Sequence, residues 1–202
     1  MGESFLALFG VGNGSSIRIV QKIRLPEALA ALIAGAGLSI SGLIMQTVLG
    51  NIMASPSTLG VSNAAVFGAN VSIILASGGY LNLDKNADGF FSSGNPFATS
   101  LVAFAFAFLS VLLVLALCRI RSFNPSSVIL AGVALGSVWT AGTTVLQFYA
   151  TDVGLSAAVV WSFGDLGRAS FLSDLIMAVV VLAAVIFFFL LRYRYNALLS
   201  GD

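Results

Sequence analysis

Charge is the scarcest feature of this sequence. Asp, Glu, Lys and Arg make up 8% of the 202 residues, whereas about a quarter is usual for a soluble domain. Charged residues are absent from four long stretches: Ala28–Leu83, Gly89–Cys118, Ser122–Thr151 and Leu175–Leu191. Because a helix needs about 20 apolar residues to cross a hydrocarbon core about 30 Å thick, these stretches predict a membrane protein with about five crossings.

Histidine is absent, and Cys118 is the single cysteine. The lack of histidine excludes His-based acid–base catalysis, histidine proton relays and histidine ligands for zinc or haem. One cysteine cannot form an intrachain disulfide, and the phosphate-binding pattern G-x-x-x-x-G-K-S/T does not occur. The net charge of +1 gives no electrostatic basis for binding nucleic acid. The sequence therefore predicts no catalytic residue, no metal site and no cofactor.

The four prolines all fall between apolar runs, at Pro26, Pro56, Pro96 and Pro125. Proline is tolerated in the first turn of a helix, where its missing N–H has no partner, so each proline predicts a helix start. Since backbone polar groups must be satisfied internally in hydrocarbon, the crossings are expected to be helices. The fold class is all-α, a polytopic bundle whose crossings are predicted at 26–50, 58–78, 97–118, 126–150 and 172–191.

The basic residues that flank the predicted crossings indicate two opposite orientations in the membrane. With five crossings, Arg119 and Arg192 fall on one side, which the positive-inside rule assigns to the cytoplasm. Three basic residues near the N-terminus, Arg18, Lys22 and Arg24, argue for the opposite orientation.

A set of short motifs gives a more specific indication of what the chain is. In order along the chain they are Arg24-Leu25-Pro26, Gly35-Ala36-Gly37-Leu38-Ser39-Ile40-Ser41-Gly42, Gln46, Asn51, Ala54-Ser55-Pro56, Leu59-Gly60-Val61-Ser62-Asn63-Ala64, Leu130-Ala131-Gly132-Val133-Ala134-Leu135-Gly136, Trp161-Ser162-Phe163-Gly164 and Asn196-Ala197-Leu198. From residue 24 onward the chain resembles the membrane permeases of bacterial and archaeal ABC importers for iron–siderophore complexes, haem and vitamin B12. Each motif is weakly specific, but their shared order and spacing are strongly so.

The resemblance implies an architecture and a set of partners. Such permeases have about ten membrane helices and work with a second permease, two cytoplasmic ATPases and an extracytoplasmic substrate-binding protein. This chain resembles the part from just before the second helix to the end of the sixth, so we expect a partial permease. Residues 1–25 would be an extracytoplasmic lead-in, 26–191 five transmembrane helices, and 192–202 the start of the ATPase-coupling segment. The chain itself would not be an enzyme, and it would lie in the inner membrane.

The resemblance also implies roles for individual residues. Asn51 and Met53 match positions of a cytoplasmic gate between two membrane helices, with Ile52 where a proline is usual. Asn124 and Pro125 match a second part of that gate, at positions where small hydroxyl residues are usual. From the residues alone, without the resemblance, plain turns rich in Asn, Ser and Pro are the favoured interpretation of both breaks.

Two further roles are implied at the ends of the resembling region. Arg24 would dock the binding protein, although Glu27 stands where a second arginine is usual, and Arg24 could instead anchor a helix end at the headgroups. Asn196, Ala197 and Leu198 would lead into the ATPase contacts.

Several alternatives remain open from the residues alone. The chain could be a self-contained small channel or secondary transporter, although charge-free stretches argue against a proton- or sodium-driven mechanism. Small residues at four-residue spacing, such as Gly60 and Gly132 with their neighbours, fit either ordinary helix packing or a tight bundle around a path. The amides of Gln46, Asn63, Asn70 and Gln147 could line that path, but hydrogen bonds between helices are the favoured role.

A segment that begins like a calcium loop lies at 84–89. Asp84, Asn86 and Asp88 occupy the first ligand positions of such a loop, but Asn95 stands where the glutamate at its twelfth position is required. A solvated external turn is the favoured interpretation.

Overall fold

In a computed structural model of the chain, the secondary-structure elements are helices. The structure describes residues 13–76, 96–120, 124–164 and 166–200, together with Ala7 and Gly10. The α-helices are α1 (Gly14–Ile19), α2 (Leu25–Leu49), α3 (Val61–Asn70), α4 (Pro96–Ile120), α5 (Pro125–Phe148), α6 (Asp152–Phe163), α7 (Phe171–Leu190) and α8 (Arg192–Ser200). Two π-helical segments, Val20–Arg24 and Val71–Ala76, and a 3₁₀ turn, Leu166–Arg168, lie between them.

Long apolar helices account for four of the five predicted crossings. Helices of sufficient length and apolar character to span a membrane are Gly14–Leu49, Phe97–Arg119, Pro125–Phe148 and Phe171–Leu190. The remaining predicted crossing, 58–78, is helical over Val61–Ala76, and its last residues lie outside the described part of the chain. The prediction of an all-α, multi-pass membrane fold is confirmed.

Pro26 is the second residue of α2, in agreement with the prediction that it marks the start of an α-helix, but the helical backbone does not begin there. The first long helix runs for 36 residues from Gly14 to Leu49, and Pro26 lies inside it. Proline lacks the N–H that would bond the carbonyl four residues earlier, and the π-helical segment Val20–Arg24 occupies the turn where that bond is missing. Pro56 begins no helix, since it lies in the turn before α3, whereas Pro96 and Pro125 begin α4 and α5.

A short helix, α6, lies where the sequence analysis placed no element. The Thr151 side chain caps its first turn by accepting from the Gly154 N–H at 3.4 Å. Gly164 ends it with φ of 79°, a left-handed value that favours glycine. At 12 residues α6 is shorter than a membrane crossing.

The chain forms two compact units, Met1–Ile44 with Asp165–Asp202 and Met45–Gly164. In the first unit, α7 carries the carboxylate of Asp174, one residue before the charge-free stretch Leu175–Leu191. Asp174 is 4% exposed, and neither of its carboxylate oxygens has a hydrogen-bond partner within the described part of the chain. Asp174 lies in the first turns of α7, where the Ser170 hydroxyl accepts from the Ser173 N–H and caps the helix.

In the second unit, the turn before α3 packs backbone to backbone on α5. A Cβ added at Gly132 would lie 2.6 Å from Leu59 Cα, and one added at Gly60 would lie 2.7 Å from the Gly132 carbonyl oxygen. The contact at Gly136 is less tight but still closer than ordinary van der Waals contact, since its added Cβ would lie 3.3 Å from Gly60 Cα. Glycines at this contact therefore allow two backbones to approach as closely as membrane helices do.

An aromatic cluster joins α3, α4 and α5 about one helical turn beyond Gly136 on α5. The Phe67 ring centroid lies 5.2 Å from those of both Phe106 and Trp139. The Trp139 indole N–H donates to the Ser110 hydroxyl at 3.0 Å, so the polar edge of this ring is satisfied. Ser110 is fully buried.

We predict that Gly132→Ala destabilises the second unit by about 1–3 kcal/mol, because the added Cβ overpacks the contact with Leu59. Gly42→Ala is the matched control, since it also lies inside a helix and its Cβ would meet no atom within 4 Å. Alanine at Gly42 is expected to be neutral or slightly stabilising. Thermal unfolding in detergent, followed by tryptophan fluorescence, measures both variants. Equal midpoints for Gly132→Ala and Gly42→Ala would contradict the packing argument.

Candidate functional site

The turn that follows α2 is built by its own polar groups. The Asn51 side-chain oxygen accepts from the Met53 N–H at 2.8 Å, and the Gln46 side-chain amide donates to the Ile52 carbonyl at 3.0 Å. These bonds satisfy the turn locally, in the manner of Asx turns. Ile52 and Met53 are left 85% and 76% exposed at its tip.

The second half of this turn is held by hydroxyl groups. The Thr58 hydroxyl donates to the Ser55 carbonyl at 2.8 Å, and the Ser55 N–H donates to the Thr58 hydroxyl oxygen at 2.9 Å. The chain then reverses at Gly60, whose φ of 71° is in the left-handed region. A residue with a Cβ is disfavoured there both by φ and by the contact with α5.

The second predicted break, at Asn124 and Pro125, is a helix start. The Asn124 side chain accepts from the Ser126 N–H at 3.2 Å and so caps α5, with Pro125 as the first helical residue. Asn124 is exposed.

A small apolar core places the two breaks at the same end of the second unit. Val114, Cys118 and Val128 are buried there, and Leu49 and Leu59 pack against them. Leu49 and Leu59 flank the first break, and Val128 lies one helical turn after Asn124. The structure therefore brings together the two regions that the sequence analysis paired.

Beside the first break lies a groove of about 480 Å³ along α5. Its polar lining consists of Ser57, Thr58, Asn63, Ser137, Thr140 and Thr144. Its floor includes the glycines of the close contact, Gly60, Gly132 and Gly136. Ser137 and Thr144 were not singled out from the sequence, although hydroxyl residues at 137, 140 and 144 share one helix face by their spacing.

A buried polar cluster, which we call the clasp, joins α3, α5 and α6 at the other end of α5. Asn70 is fully buried, accepts from the Gln147 side-chain N–H at 3.0 Å and donates to the Ser162 hydroxyl at 3.4 Å. The Asn63 amide likewise donates to the Gly136 carbonyl at 3.2 Å. Bonding between helices is therefore confirmed for Asn63, Asn70 and Gln147, and Asn63 also lines the groove, whereas Gln46 bonds locally.

The remaining predicted residues lie in the first unit. Arg24 ends the first π-helical segment and pairs with Glu27 at 3.2 Å, with the two side chains 70% and 34% exposed. Asn196, Ala197 and Leu198 lie on α8, where Asn196 and Ala197 are exposed. The calcium-like segment with Asp84, Asn86 and Asp88 lies outside the described residues.

Together the long apolar helices and the glycine-packed second unit define a multi-pass helical membrane protein. The family model described as the FecCD transport family matches residues 1–202. The chain belongs to this family. Its fold is shared with a solved chain assigned to a metal-chelate type ABC transporter in an inward-facing conformation, at a TM-score of 0.75 and 23% identity over 97% of this chain and 60% of that one.

Relatives in three organisms bear the names of permeases. A protein of Methanocaldococcus jannaschii assigned as an ABC transporter permease is 40% identical over 97% of this chain and 55% of its own length. An iron chelatin transport system permease of Helicobacter pylori J99 is 33% identical (91% and 51%), and the vitamin B12 import permease BtuC of Shigella boydii serotype 18 is 32% identical (89% and 51%). The chain thus spans about half the length of these relatives.

We predict that Asn70 and Gln147 are energetically coupled by about 0.6 kcal/mol and at most about 1.7 kcal/mol, the mean and the maximum measured for hydrogen bonds between membrane helices. The cycle uses Asn70→Ala, Gln147→Ala and the double variant, each unfolded in detergent. The second substitution should cost less once the first is present, because the partner has already lost its bond. The matched control pairs Asn70→Ala with Gln46→Ala, which bonds the Ile52 carbonyl instead and should give additive effects.

Proposed function

We propose that this chain forms part of the translocation path of an ATP-driven importer in the inner membrane, with an iron chelate, haem or cobalamin as cargo. The observation that carries the proposal is the groove along α5, which begins at a turn with exposed Ile52 and Met53 and is lined by uncharged polar groups. Family membership supports it, since relatives bear the names of iron chelatin and vitamin B12 permeases.

In this proposal the gate consists of the two breaks at one end of the second unit. Asn51 shapes the first turn, Met53 projects from it, and Asn124 with Pro125 begins the helix that carries the groove wall. The apolar core around Cys118 connects the two breaks, because Leu49 beside the first break and Val128 beside the second pack in the same cluster. A shift of either helix end is therefore expected to move both breaks.

The partners are proposed from the same family: a second permease, cytoplasmic ATPases that hydrolyse ATP, and an extracytoplasmic binding protein. Arg24 is proposed to dock the binding protein. Its pairing with Glu27 is an exposed bond between residues three apart, of the kind that contributes little to stability. The guanidinium could therefore exchange Glu27 for a partner carboxylate at little cost. Asn196, Ala197 and Leu198 on α8 are proposed to lead into the ATPase contacts.

The gate predicts a defined accessibility from the two sides of the membrane. In a Cys118→Ala background, Met53→Cys should react with a membrane-impermeant maleimide from the cytoplasmic side alone, because the turn opens there. Arg24→Cys is the control and should react from the outside alone. Labelling of Met53→Cys from the outside, or from neither side, would contradict the proposed gate.

Transport itself is testable in the native cell, with radiolabelled cyanocobalamin and a ferric siderophore as separate probes. Disruption of the coding sequence of this chain should abolish ATP-dependent uptake of at least one probe, and restoring it should recover that uptake. ATP depletion is the control that separates the importer from a self-contained channel or secondary transporter. Uptake that depends on this chain but persists without ATP would favour the channel or secondary transporter.

A further inference from the structure

On the groove wall formed by α5, the three lining hydroxyl groups donate their protons to carbonyl groups of the same helix. The Ser137 hydroxyl donates to the Val133 carbonyl at 3.1 Å, and the Thr140 hydroxyl donates to the Gly136 carbonyl at 2.9 Å. One turn further on, the Thr144 hydroxyl donates to the Thr140 carbonyl at 3.1 Å. Each bond reaches back four residues along the helix, a common pattern for Ser and Thr in helices.

On the opposite wall, side-chain donors are also bonded to backbone carbonyl groups. The Thr58 hydroxyl donates to the Ser55 carbonyl at 2.8 Å, and one N–H of the Asn63 amide donates to the Gly136 carbonyl at 3.2 Å. Among the described lining residues, the side-chain donors left over are the second Asn63 N–H and the Ser57 hydroxyl, which itself lies 2.8 Å from the Ser55 hydroxyl. None of these lining residues is charged.

What the α5 wall offers to a passing molecule is therefore oxygen lone pairs and methyl groups, while the second Asn63 N–H and the Ser57 hydroxyl are the remaining side-chain donors of the opposite wall. A hydroxyl carries one proton and two lone pairs, so a hydroxyl that donates to its own helix can act toward the groove as an acceptor. Rows of oxygen acceptors favour cations and hydrogen-bond donors, as selectivity filters do, and they repel anionic oxygens. The effect is stronger where water is scarce, because the local dielectric constant is lower.

We propose that this groove selects by charge and hydrogen-bonding type, admitting cargo whose outer surface is cationic or rich in donors and disfavouring cargo with exposed carboxylate or other anionic groups. Ser137, Thr140 and Thr144 determine this selectivity. The inference rests on the proposed function, because it requires the groove to lie on the translocation path. It narrows the cargo from chelates in general to chelates that carry no net negative charge on their surface.

The test uses small thiol reagents of matched chemistry and opposite charge on the complete permease in detergent. Single cysteines at Ser137→Cys and Thr144→Cys, in the Cys118→Ala background, are treated with trimethylammonium-ethyl or sulfonato-ethyl methanethiosulfonate. Met53→Cys supplies the reference ratio, since Met53 is exposed and does not line the groove. We expect the ratio of cationic to anionic reaction rates in the groove to exceed the reference ratio, because the hydroxyl oxygens attract the cation and repel the sulfonate.

A second variant shows whether the hydroxyl oxygens are the cause. Adding Thr140→Val to Ser137→Cys keeps the shape of the wall and removes one acceptor, so the ratio should fall toward the reference. Val138→Ala is the matched control on the same helix, outside the groove lining, and should leave the ratio unchanged.

The possible outcomes distinguish failure of the selectivity inference from failure of the proposed translocation path. A groove ratio equal to the reference, below it, or insensitive to Thr140→Val would overturn the selectivity inference and leave the proposed path intact. Failure of both groove cysteines to react even with neutral methyl methanethiosulfonate would overturn the path, and the selectivity with it.

Discussion

The close contact between the backbone at Leu59–Gly60 and the glycine face of α5 is the constraint on which the second unit depends. With no side chain at Gly132 or Gly136, the turn approaches α5 until an added Cβ would fall within 2.6 Å of Leu59 Cα. That approach fixes where the first break sits relative to the helix that begins at the second break. A groove lies beside the contact, where Thr140 and Thr144 continue the face of Gly132 and Gly136 along α5.

Membrane helices gain little from burying apolar surface against one another, so packing and polar contacts carry more of the stability. In the second unit these two kinds of contact lie at different levels of α5. The glycine contact involves its first half, and the clasp of Asn70, Gln147 and Ser162 involves its end. The aromatic cluster around Trp139 lies between them. The helix that carries the groove wall is thus held along its length, and the glycine contact itself forms part of the groove lining.

The crossings could be predicted from the sequence because charge-free runs of sufficient length have few alternatives in a membrane. The predicted segments 97–118, 126–150 and 172–191 agree closely with Phe97–Arg119, Pro125–Phe148 and Phe171–Leu190. Pro26 marks the start of α2 as predicted, but the sequence did not indicate that a π-helical segment, which can accommodate the missing proline N–H, continues the helical backbone before it. The short helix α6 was missed because it is too short to produce a crossing signal, although Thr151 and Gly164 mark its ends.

For the site, the sequence indicated which residues belong together but not their bonding state. The small-residue spacing at Gly60 and Gly132 was visible, and the structure shows that it brings two backbones into contact. The direction of a hydroxyl proton depends on a side-chain rotamer and on a carbonyl one turn away, neither of which a residue list contains. The sequence therefore did not indicate that the hydroxyl groups of Ser137 and Thr144 act as hydrogen-bond acceptors toward the groove.

The bonding state of the groove bears on how cargo could move along it. A wall that combines charged groups with free donors would bind a chelate tightly and slow its release, since conduction requires binding weak enough to allow exit. Committed hydroxyl protons leave acceptors that bind weakly and repeat along α5 at 137, 140 and 144. The polar groups of the turn at Asn51 are also satisfied locally, so displacing its tip breaks few bonds to the rest of the unit. In the proposed importer, a weakly binding wall and a self-contained turn leave the work of transport to the ATPases, because neither feature stores the energy to drive it.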